Sequence, residues 1–468
     1  MKKFYISLVA LLLVTSLVAS FSLLGCKAEV AQETAAAETT AAAAETTAAA
    51  EEATVEAKPI TIDYWENFIG ASKAQNWALE QIKAKYPNLT INSINYTAMD
   101  LEEKLPTALA SGTGPDLIYA PMDPKFLGRF ANEDLVIPLT DGAKKYGWDK
   151  KLFPAAQAAG AYKGELYGIP HEFEVLAPVY NKKIFEELGL QFPKTLEDLE
   201  VTMDKIKKNS DYIPMFYGCG EGCLQGILLF ICLSYAIVPV QKIIDTTVMG
   251  DGSYLEPEWK EVLQVLERWE KAGYFNNDTF DYLWEGHWNR FCNGEVAIMA
   301  SGTALFKTLS DCSAENPDKL ELGFAGFPVP EGKPFQAFVG FGSGWYISNN
   351  LEKDPAKMDI VLEFINLLLS DEAANLWITE DQLFPAFSVD QTKIPLNELQ
   401  VGMLEIAQKA GSNAAGNNIC WNNTSEENDA WATGFQALYL GKTDPDTIIK
   451  NVDTILKKSQ AEWKSKQQ

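Results

Sequence analysis

The sequence predicts an α/β fold with more than one lobe, and two observations support this prediction. The chain has 468 residues, whereas single hydrophobic cores stop growing at roughly 250–300 residues. After residue 58, short alternating apolar runs are interleaved with stretches of helical periodicity. This interleaving is typical of an α/β unit with a largely parallel sheet.

The first elements of this unit are predicted in chain order. The alternating and periodic segments are a strand at 60–65, a helix at 71–86, a strand at 90–94, a helix at 101–110 and a short apolar run at 115–120. Sheets of this kind bind ligands beyond the carboxyl ends of their strands. The residues that follow the first and third strands, and that we therefore expect at a ligand site, are Trp65, Glu66, Asn67, Tyr119 and Asp123.

The charge balance and the scarcity of histidine narrow the function. The chain has 64 acidic and 39 basic residues, for a formal net charge of −25, so we expect no nucleic-acid partner, since that binding relies on Lys and Arg. His171 and His287 are the only histidines, which leaves little room for a histidine metal cluster or a Ser-His-Asp triad. We therefore expect no metal and no cofactor.

The N-terminus has the pattern of an export signal. Lys2 and Lys3 precede an apolar run at 6–18, as in secretory signal peptides. The run ends in Leu-Leu-Gly-Cys at 23–26, which resembles a bacterial lipobox. We expect residues 1–25 to be a lipoprotein signal peptide, with Cys26 then carrying the lipid, palmitate included. The alternative is an ordinary cleaved signal with an incidental cysteine.

Residues 26–58 are expected to form a tether. They are rich in Ala, Glu and Thr, and one seven-residue unit occurs at 35–41 and again at 42–48. Alanine buries too little for a coiled-coil seam, so we expect a flexible segment with a reach of roughly 30 Å. The folded body would then lie outside the cytoplasm, at the outer face of the cytoplasmic membrane or in a periplasm.

Two further features have competing interpretations. The Cys-Gly-Glu-Gly-Cys segment at 219–223 could be a local disulfide, half of a zinc site or a pair of plain thiols. Residues 224–240 carry no charge and approach the length of a membrane span. Polar interruptions favour a buried core helix instead.

Several segments together resemble one family. They read Ser-Gly-Thr-Gly-Pro-Asp at 111–116, Gly-Glu-Leu-Tyr-Gly-Ile-Pro at 164–170, Val-Tyr-Asn-Lys-Lys-Ile-Phe at 179–185, Asn-Gly-Glu-Val-Ala-Ile-Met at 293–299 and Phe-Gly-Ser-Gly-Trp-Tyr-Ile-Ser at 341–348. In this order, behind a lipobox, they resemble the extracellular solute-binding proteins of sugar ABC transporters, the family of the maltodextrin-binding protein. The resemblance implies a substrate-binding lipoprotein that is not an enzyme, and that captures a sugar or oligosaccharide and delivers it to permease subunits. We expect a monomer.

The resemblance also implies a two-lobed periplasmic-binding-protein fold, in which each lobe is a mixed sheet flanked by helices. The ligand cleft lies between the lobes, and the chain is expected to cross between them near 170–173, 299–302 and 338–344. Glycines at 340, 342 and 344 suit a hinge. The expected N-terminal lobe is 59–171 with 300–340, and the expected C-terminal lobe is 172–299 with 341–468.

Carboxylates and aromatic residues are the candidate sugar contacts. Glu174 and Asp123 match family carboxylates, and Glu172 lies on the same side of an extended strand as Glu174. Stacking on a sugar ring requires aromatic faces, for which the candidates are Trp65, Trp288, Trp345 and Trp421. Core packing is the alternative for each tryptophan.

One departure from the family concerns the ligand. Ala304 and Ala120 stand where the maltodextrin-binding protein has aromatic residues, so we do not expect the ligand to be held as a long maltodextrin.

Two other function classes remain as alternatives. A surface lipoprotein glycoside hydrolase could use Glu172 and Glu174 as paired carboxylates, although neighbours at i and i+2 project side by side rather than across a scissile bond. An adhesin would show repeats or an exposed apolar patch, and the sequence shows no repeat beyond the tether.

Overall fold

A computed structural model describes residues 58–67, 72–96, 98–122, 124–282, 286–390, 394–416 and 423–467. The described residues all fall within a single compact unit. The signal peptide with Cys26, the tether before residue 58, and the predicted contacts Asp123 and Trp421 lie outside the described residues.

Fourteen strands occur in the described residues. In chain order they are β1 (Ile60–Glu66), β2 (Leu89–Asn95), β3 (Leu117–Pro121), β4 (Ala161–Tyr162), β5 (Glu165–Leu166), β6 (Gly168–Pro170), β7 (Glu172–Asn181), β8 (Ile213–Phe216), β9 (Val296–Gly302), β10 (Leu322–Phe324), β11 (Ala337–Phe341), β12 (Ser343–Ile347), β13 (Phe384–Pro385) and β14 (Ala414–Ala415).

The α-helices of the described residues follow in the same order. They are α1 (Lys73–Lys85), α2 (Ala98–Ala110), α3 (Pro124–Asn132), α4 (Thr140–Tyr146), α5 (Trp148–Lys151), α6 (Pro154–Ala159), α7 (Lys182–Glu187), α8 (Leu196–Asn209), α9 (Leu224–Ile237), α10 (Val240–Asp245), α11 (Pro257–Ala272), α12 (Asn289–Cys292), α13 (Phe306–Glu315), α14 (Pro355–Leu368), α15 (Asp371–Thr379), α16 (Glu398–Ala410), α17 (Ser425–Tyr439) and α18 (Pro445–Gln467).

The first sheet has the strand order β2-β1-β3-β12-β6. β1 runs parallel to both β2 and β3, as the alternation of strands and helices predicts. β12 is antiparallel to β3 and to β6, so the complete sheet is mixed. The five elements predicted between residues 60 and 120 are confirmed.

The second sheet has the order β14-β11-β7-β9-β8, and β10 and β13 also pair with β7. β7 is its longest strand, with ten residues, and it pairs antiparallel with β9 and β11. Helix α9 packs over this sheet, and nearly all of its residues are buried. The prediction of a core helix here is confirmed, and no helix of the described residues is long and apolar enough to cross a membrane.

The chain passes between the two sheets along two adjacent strand pairs. β6 in the first sheet continues through His171 into β7 of the second, and β11 of the second continues through Gly342 into β12 of the first. The two passages are joined by hydrogen bonds from His171 N to Ser343 O, at 2.9 Å, and from Gly342 N to Glu172 O, at 3.4 Å. We call residues 171–174 and 340–343 the crossing.

The first correction to the expected boundaries of the lobes concerns residues 300–340. The predicted return near 299–302 is not a crossing, because β9 hydrogen-bonds on both edges within the second sheet, to β7 and β8. The apolar residues that follow, Leu305, Phe306 and Leu309, are buried on that same sheet. Residues 300–340 therefore belong with the second sheet.

The segment after the second crossing strand also differs from the prediction. β12 lies in the first sheet, and helices α14 and α15 pack against α1. Their apolar residues, such as Phe364 and Trp377, share a core with Ile62 and Tyr64. Residues 341–468 are thus divided between the two sheets rather than confined to the second.

Candidate functional site

Two acidic side chains begin strand β7 at the crossing. Glu172 and Glu174 alternate with Phe173 along the strand, so both carboxyl groups project from the same face. Their side chains are buried, with 8% and 6% of their surface exposed. Burying two carboxyl groups costs folding free energy unless each has a hydrogen-bond or ion-pair partner. A buried pair of this kind is therefore unusual inside a sheet.

Glycines of neighbouring strands make room for these carboxyl groups. A Cβ atom at Gly342 would lie 2.6 Å from Glu172 Oε1, and one at Gly302 would lie 3.2 Å from Glu174 Oε1. A side chain at Gly342 would therefore displace the Glu172 carboxyl group. The sequence suggested that Gly342 serves the flexibility of a hinge. In the structure, the absence of a side chain at Gly342 leaves room for the Glu172 carboxyl group.

The electrostatic environment favours the protonated forms. Burial raises the pKa of Glu172 to about 7. Burial and the neighbouring Glu172 raise the pKa of Glu174 to about 8. No Lys or Arg of the described residues contributes to either pKa, and the Glu174 Oε2 atom has no hydrogen-bond partner within the described part of the chain.

Tyr119 and His171 lie beside the carboxyl pair. The Tyr119 hydroxyl and His171 Nδ1 are 2.8 Å apart, and Glu172 contributes to raising the pKa of Tyr119 well above its usual value, after burial itself. Burial lowers the pKa of His171 to about 3. His171 is therefore neutral at physiological pH and brings no positive charge to the crossing.

The predicted residues at the end of β1 are placed differently from one another. Trp65 is half-buried, and its ring contacts Tyr96 edge-on with centroids 5.1 Å apart. Glu66 is buried and accepts hydrogen bonds from the side chains of Gln75 and Ser93. Asn67 is half-buried, and its Oδ1 has no partner in the described part of the chain. Of the three, Glu66 is the one whose side-chain oxygens accept hydrogen bonds from other side chains of the protein.

Trp345 is a core residue, which corrects its assignment as a ligand contact. Its side chain has 0% exposed surface, and its indole Nε1 donates to the Tyr64 hydroxyl at 3.2 Å. Its ring is tilted against His171, with centroids 5.0 Å apart. The physical reason is that β12 lies inside the first sheet between β3 and β6, so Trp345 packs into the core of that lobe.

Trp288 packs against core residues of the second sheet. Its ring is half-buried against the hydrophobic cluster that contains Phe216 and Phe291. It also contacts the His287 ring edge-on, with centroids 4.9 Å apart. Its role as a ligand contact remains a prediction.

The cysteines resolve one open alternative. Cys219 and Cys223 form a disulfide, so the local-bridge interpretation is correct. A second disulfide joins Cys292 to Cys312, and spacing alone gave no signal for it. Cys232 is a buried free thiol whose pKa is raised by burial to about 12. The described residues contain no group of three side chains suited to hold a metal ion.

Comparison with known proteins identifies the family. A family model described as bacterial extracellular solute-binding protein matches residues 77–393. The chain belongs to this family, whose members are binding proteins rather than enzymes.

Individual proteins match this chain either over a short segment or at low sequence identity. A maltotriose-binding protein of Pyrococcus abyssi is 38% identical over 109 residues, which cover 23% of this chain and 22% of that protein. A maltooligosaccharide ABC transporter solute-binding lipoprotein of Streptococcus pneumoniae is 26% identical over 304 residues, or 61% of this chain and 62% of the relative. Both matches span less than two thirds of the relative's length.

A solved structure of a chitin oligosaccharide binding protein has the same fold. It superposes with a TM-score of 0.75 at 18% identity, and the match covers 86% of this chain and 99% of the other. The two-lobed α/β fold of periplasmic binding proteins is therefore confirmed.

Proposed function

We propose that this chain is the substrate-binding component of an ABC import system, which captures a sugar or oligosaccharide between its two lobes and delivers it to membrane permease subunits. The observation that carries the proposal is the Glu172–Glu174 pair, two buried acceptors at the place where the chain passes between the lobes. A carboxylate forms stronger hydrogen bonds with hydroxyl groups than a neutral acceptor does. The names of the two relatives above support a saccharide ligand.

The proposed contacts combine acceptors with an aromatic face. Glu172 and Glu174 accept hydrogen bonds from hydroxyl groups, and Trp65, which is half-buried, packs against the apolar face of a sugar ring. Asn67 offers an unpartnered amide oxygen. The remaining predicted contacts, which we retain as proposals, are Tyr119, Asp123, Trp288 and Trp421.

A lipid on Cys26 would hold the protein at the membrane. The lipobox-like Leu-Leu-Gly-Cys at 23–26 and the Ala/Glu/Thr-rich segment at 26–58 support export, cleavage, lipidation and a flexible attachment at the outer face of the cytoplasmic membrane. We expect the Cys26→Ala variant to lose its membrane and detergent partition. Retention of the mutant at the wild-type level, with the signal region cleaved, would contradict the anchor.

The proposal excludes catalysis by the carboxyl pair. Glycoside hydrolases place their two carboxyl groups on opposite sides of the scissile bond, whereas Glu172 and Glu174 project from one face of one strand. Incubation with a bound oligosaccharide should leave it intact. Appearance of shorter products, lost in Glu174→Gln, would favour the hydrolase.

A thermal-shift screen over mono- and oligosaccharides tests the proposed function. A ligand at one hundred times its dissociation constant stabilises the folded state by about 2.7 kcal/mol, which raises the melting temperature by a few degrees. We expect a shift of this size with at least one saccharide. If no saccharide shifts the melting temperature while a non-carbohydrate solute does, the ligand class is wrong.

A further inference from the structure

No Lys or Arg of the described residues balances the carboxyl pair at the crossing. Glu172 and Glu174 are each more than nine-tenths buried, and Glu174 Oε2 has no hydrogen-bond partner among the described residues. Two neighbouring buried anions repel each other as well as losing their hydration. Burial, together with this repulsion at Glu174, therefore favours the protonated carboxyl groups.

The described groups around the pair do not supply the missing charge. From the first sheet, the neighbouring titratable groups are the Tyr119 hydroxyl and the neutral imidazole of His171. On the second sheet, Glu174 pairs with Gly340 and Glu172 with Pro385. The two carboxyl groups also lie close to Gly342 and Gly302, and none of these residues carries a charge. Because none of these described neighbours is a cation, the ligand is our candidate for the positive charge that would let both carboxyl groups ionise.

A metal ion is a poor candidate for that charge. Hard divalent cations such as calcium take six or more oxygen ligands, and no described group of three acidic, histidine or cysteine side chains is suited to bind one. A protonated amine, by contrast, presents up to three N–H donors and one charge. Such a group matches two acceptors that lie side by side.

We propose that the Glu172–Glu174 pair makes this site select carbohydrates that carry a protonated amino group over their neutral counterparts. This inference rests on the proposed function, and it names the substrate class of the same site. A neutral sugar offers hydroxyl groups but no positive charge, so the carboxyl groups stay protonated or ionise without a counter-charge. An amino sugar forms charge-assisted hydrogen bonds, which are roughly twice as strong as neutral ones.

The test compares matched saccharides by titration calorimetry on the full chain in detergent at pH 7. The pairs are glucosamine with glucose, galactosamine with galactose, and the β-1,4-linked glucosamine disaccharide with its N-acetylated form. We expect the amine to bind at least about 10-fold more tightly than its neutral counterpart in a pair that binds. Measurement at two salt concentrations separates this effect from the general attraction of cations to an acidic protein, because buried pairs are screened much less.

Variants assign the preference to the pair. Glu174→Gln and Glu172→Gln keep the shape of the side chains and remove the charge, so the ratio of affinities between amine and neutral sugar should fall toward one. Glu352→Gln, at an exposed position, is the matched control and should leave the ratio unchanged. Unliganded melting temperatures check that each variant is folded.

The outcomes separate this inference from the proposed function. If neutral sugars bind as tightly as their amines, or if Glu174→Gln keeps the wild-type ratio, the amine preference is wrong and the sugar-binding function stands. If none of the saccharides binds, neutral or charged, both proposals fall.

Discussion

Glu66 and Glu174 are both buried acidic residues, one in each sheet. Glu66 lies at the carboxyl-terminal end of β1, and Glu174 lies near the amino-terminal end of β7. Glu66 accepts hydrogen bonds from Gln75 and Ser93, which fasten the end of β1 to helix α1 and strand β2. Glu174 has an oxygen with no partner among the described residues and a pKa raised to about 8. The first carboxylate is satisfied by the protein, and the second is left for something else to satisfy.

The same contrast separates two tryptophans. Trp345 is fully buried, with its indole nitrogen hydrogen-bonded to the Tyr64 hydroxyl, whereas Trp65 is only half-buried. Both tryptophans were candidates for stacking on a sugar ring, but they differ in their burial and in their partners. A buried polar group without a hydrogen-bond partner is therefore better evidence of a ligand contact than a position at the end of a strand.

The largest expected effect is on stability at the first sheet. Trp345→Ala should lower the free energy of unfolding by about 3–5 kcal/mol, because it opens a cavity in the core. Trp65→Ala should cost clearly less stability and instead weaken saccharide binding. Urea denaturation and titration calorimetry of both variants check this, and equal losses of stability would remove the distinction between the two tryptophans.

The next effect is a pH dependence that arises at the crossing. The pKa values of Glu172 and Glu174 are raised in the folded state to about 7 and about 8, from a usual 4.5. The folded state therefore binds more protons than the unfolded state, and the stabilisation is complete below about pH 4.5 and is lost as pH rises through 7 and 8. The loss for the pair is on the order of a few kcal/mol.

Denaturation from pH 5 to pH 9 measures this loss for the ligand-free protein. The double variant Glu172→Gln, Glu174→Gln should lose less stability over that range than wild type, since it has no carboxyl groups to ionise there. Identical pH profiles for the two proteins would show that the pair is not held in its protonated form.

The sequence predicted the features that leave a local pattern and missed those that depend on pairing between distant segments. Strand β1 and helix α1 have clear periodicity and were placed within two residues of their observed ends. The assignment of 300–340 to the first lobe was wrong, because lobe membership depends on which strand β9 pairs with, and pairing across the chain leaves no local pattern. The same holds for Cys292 and Cys312, which are separated by 20 residues.

The candidate site was predicted in part for a similar reason. Position after the first strand indicated Glu66, and family resemblance indicated Glu174. The groups around them come from other segments of the chain, such as Gln75, which donates a hydrogen bond to Glu66, and Gly302, which leaves room for the Glu174 carboxyl group. Trp345 was a candidate contact because it is an aromatic residue at the third predicted crossing. Only the placement of β12 between β3 and β6 shows that its side chain belongs to the core.

A moderate effect on binding should follow from the carboxylate at the crossing. Glu174→Ala removes an acceptor and leaves ligand donors unsatisfied, at a cost of roughly 1.5–3 kcal/mol, or about 10- to 150-fold in affinity. Glu174→Gln should retain part of the affinity. Calorimetry with a saccharide from the thermal-shift screen measures both, with the unliganded melting temperature as the folding control. Wild-type affinity in Glu174→Ala would make Glu174 a structural residue.

The smallest expected effect concerns the satisfied carboxylate. Glu66→Ala leaves the buried Gln75 amide without its acceptor and should lower the free energy of unfolding by about 1–3 kcal/mol. The exposed Ser93 hydroxyl can turn to water and adds little. Urea denaturation measures the loss. A variant that keeps wild-type stability and loses saccharide affinity would place Glu66 among the ligand contacts after all.

The central claim is that the carboxyl pair at the crossing holds the carbohydrate, and a crystal structure of the complex with a saccharide from the screen tests it most directly. We predict a hydroxyl or amino group of the saccharide within about 2.5–3.2 Å of a Glu174 carboxyl oxygen, with a sugar ring against Trp65. A saccharide bound elsewhere, with the Glu174 carboxyl group still unpartnered, would contradict the claim.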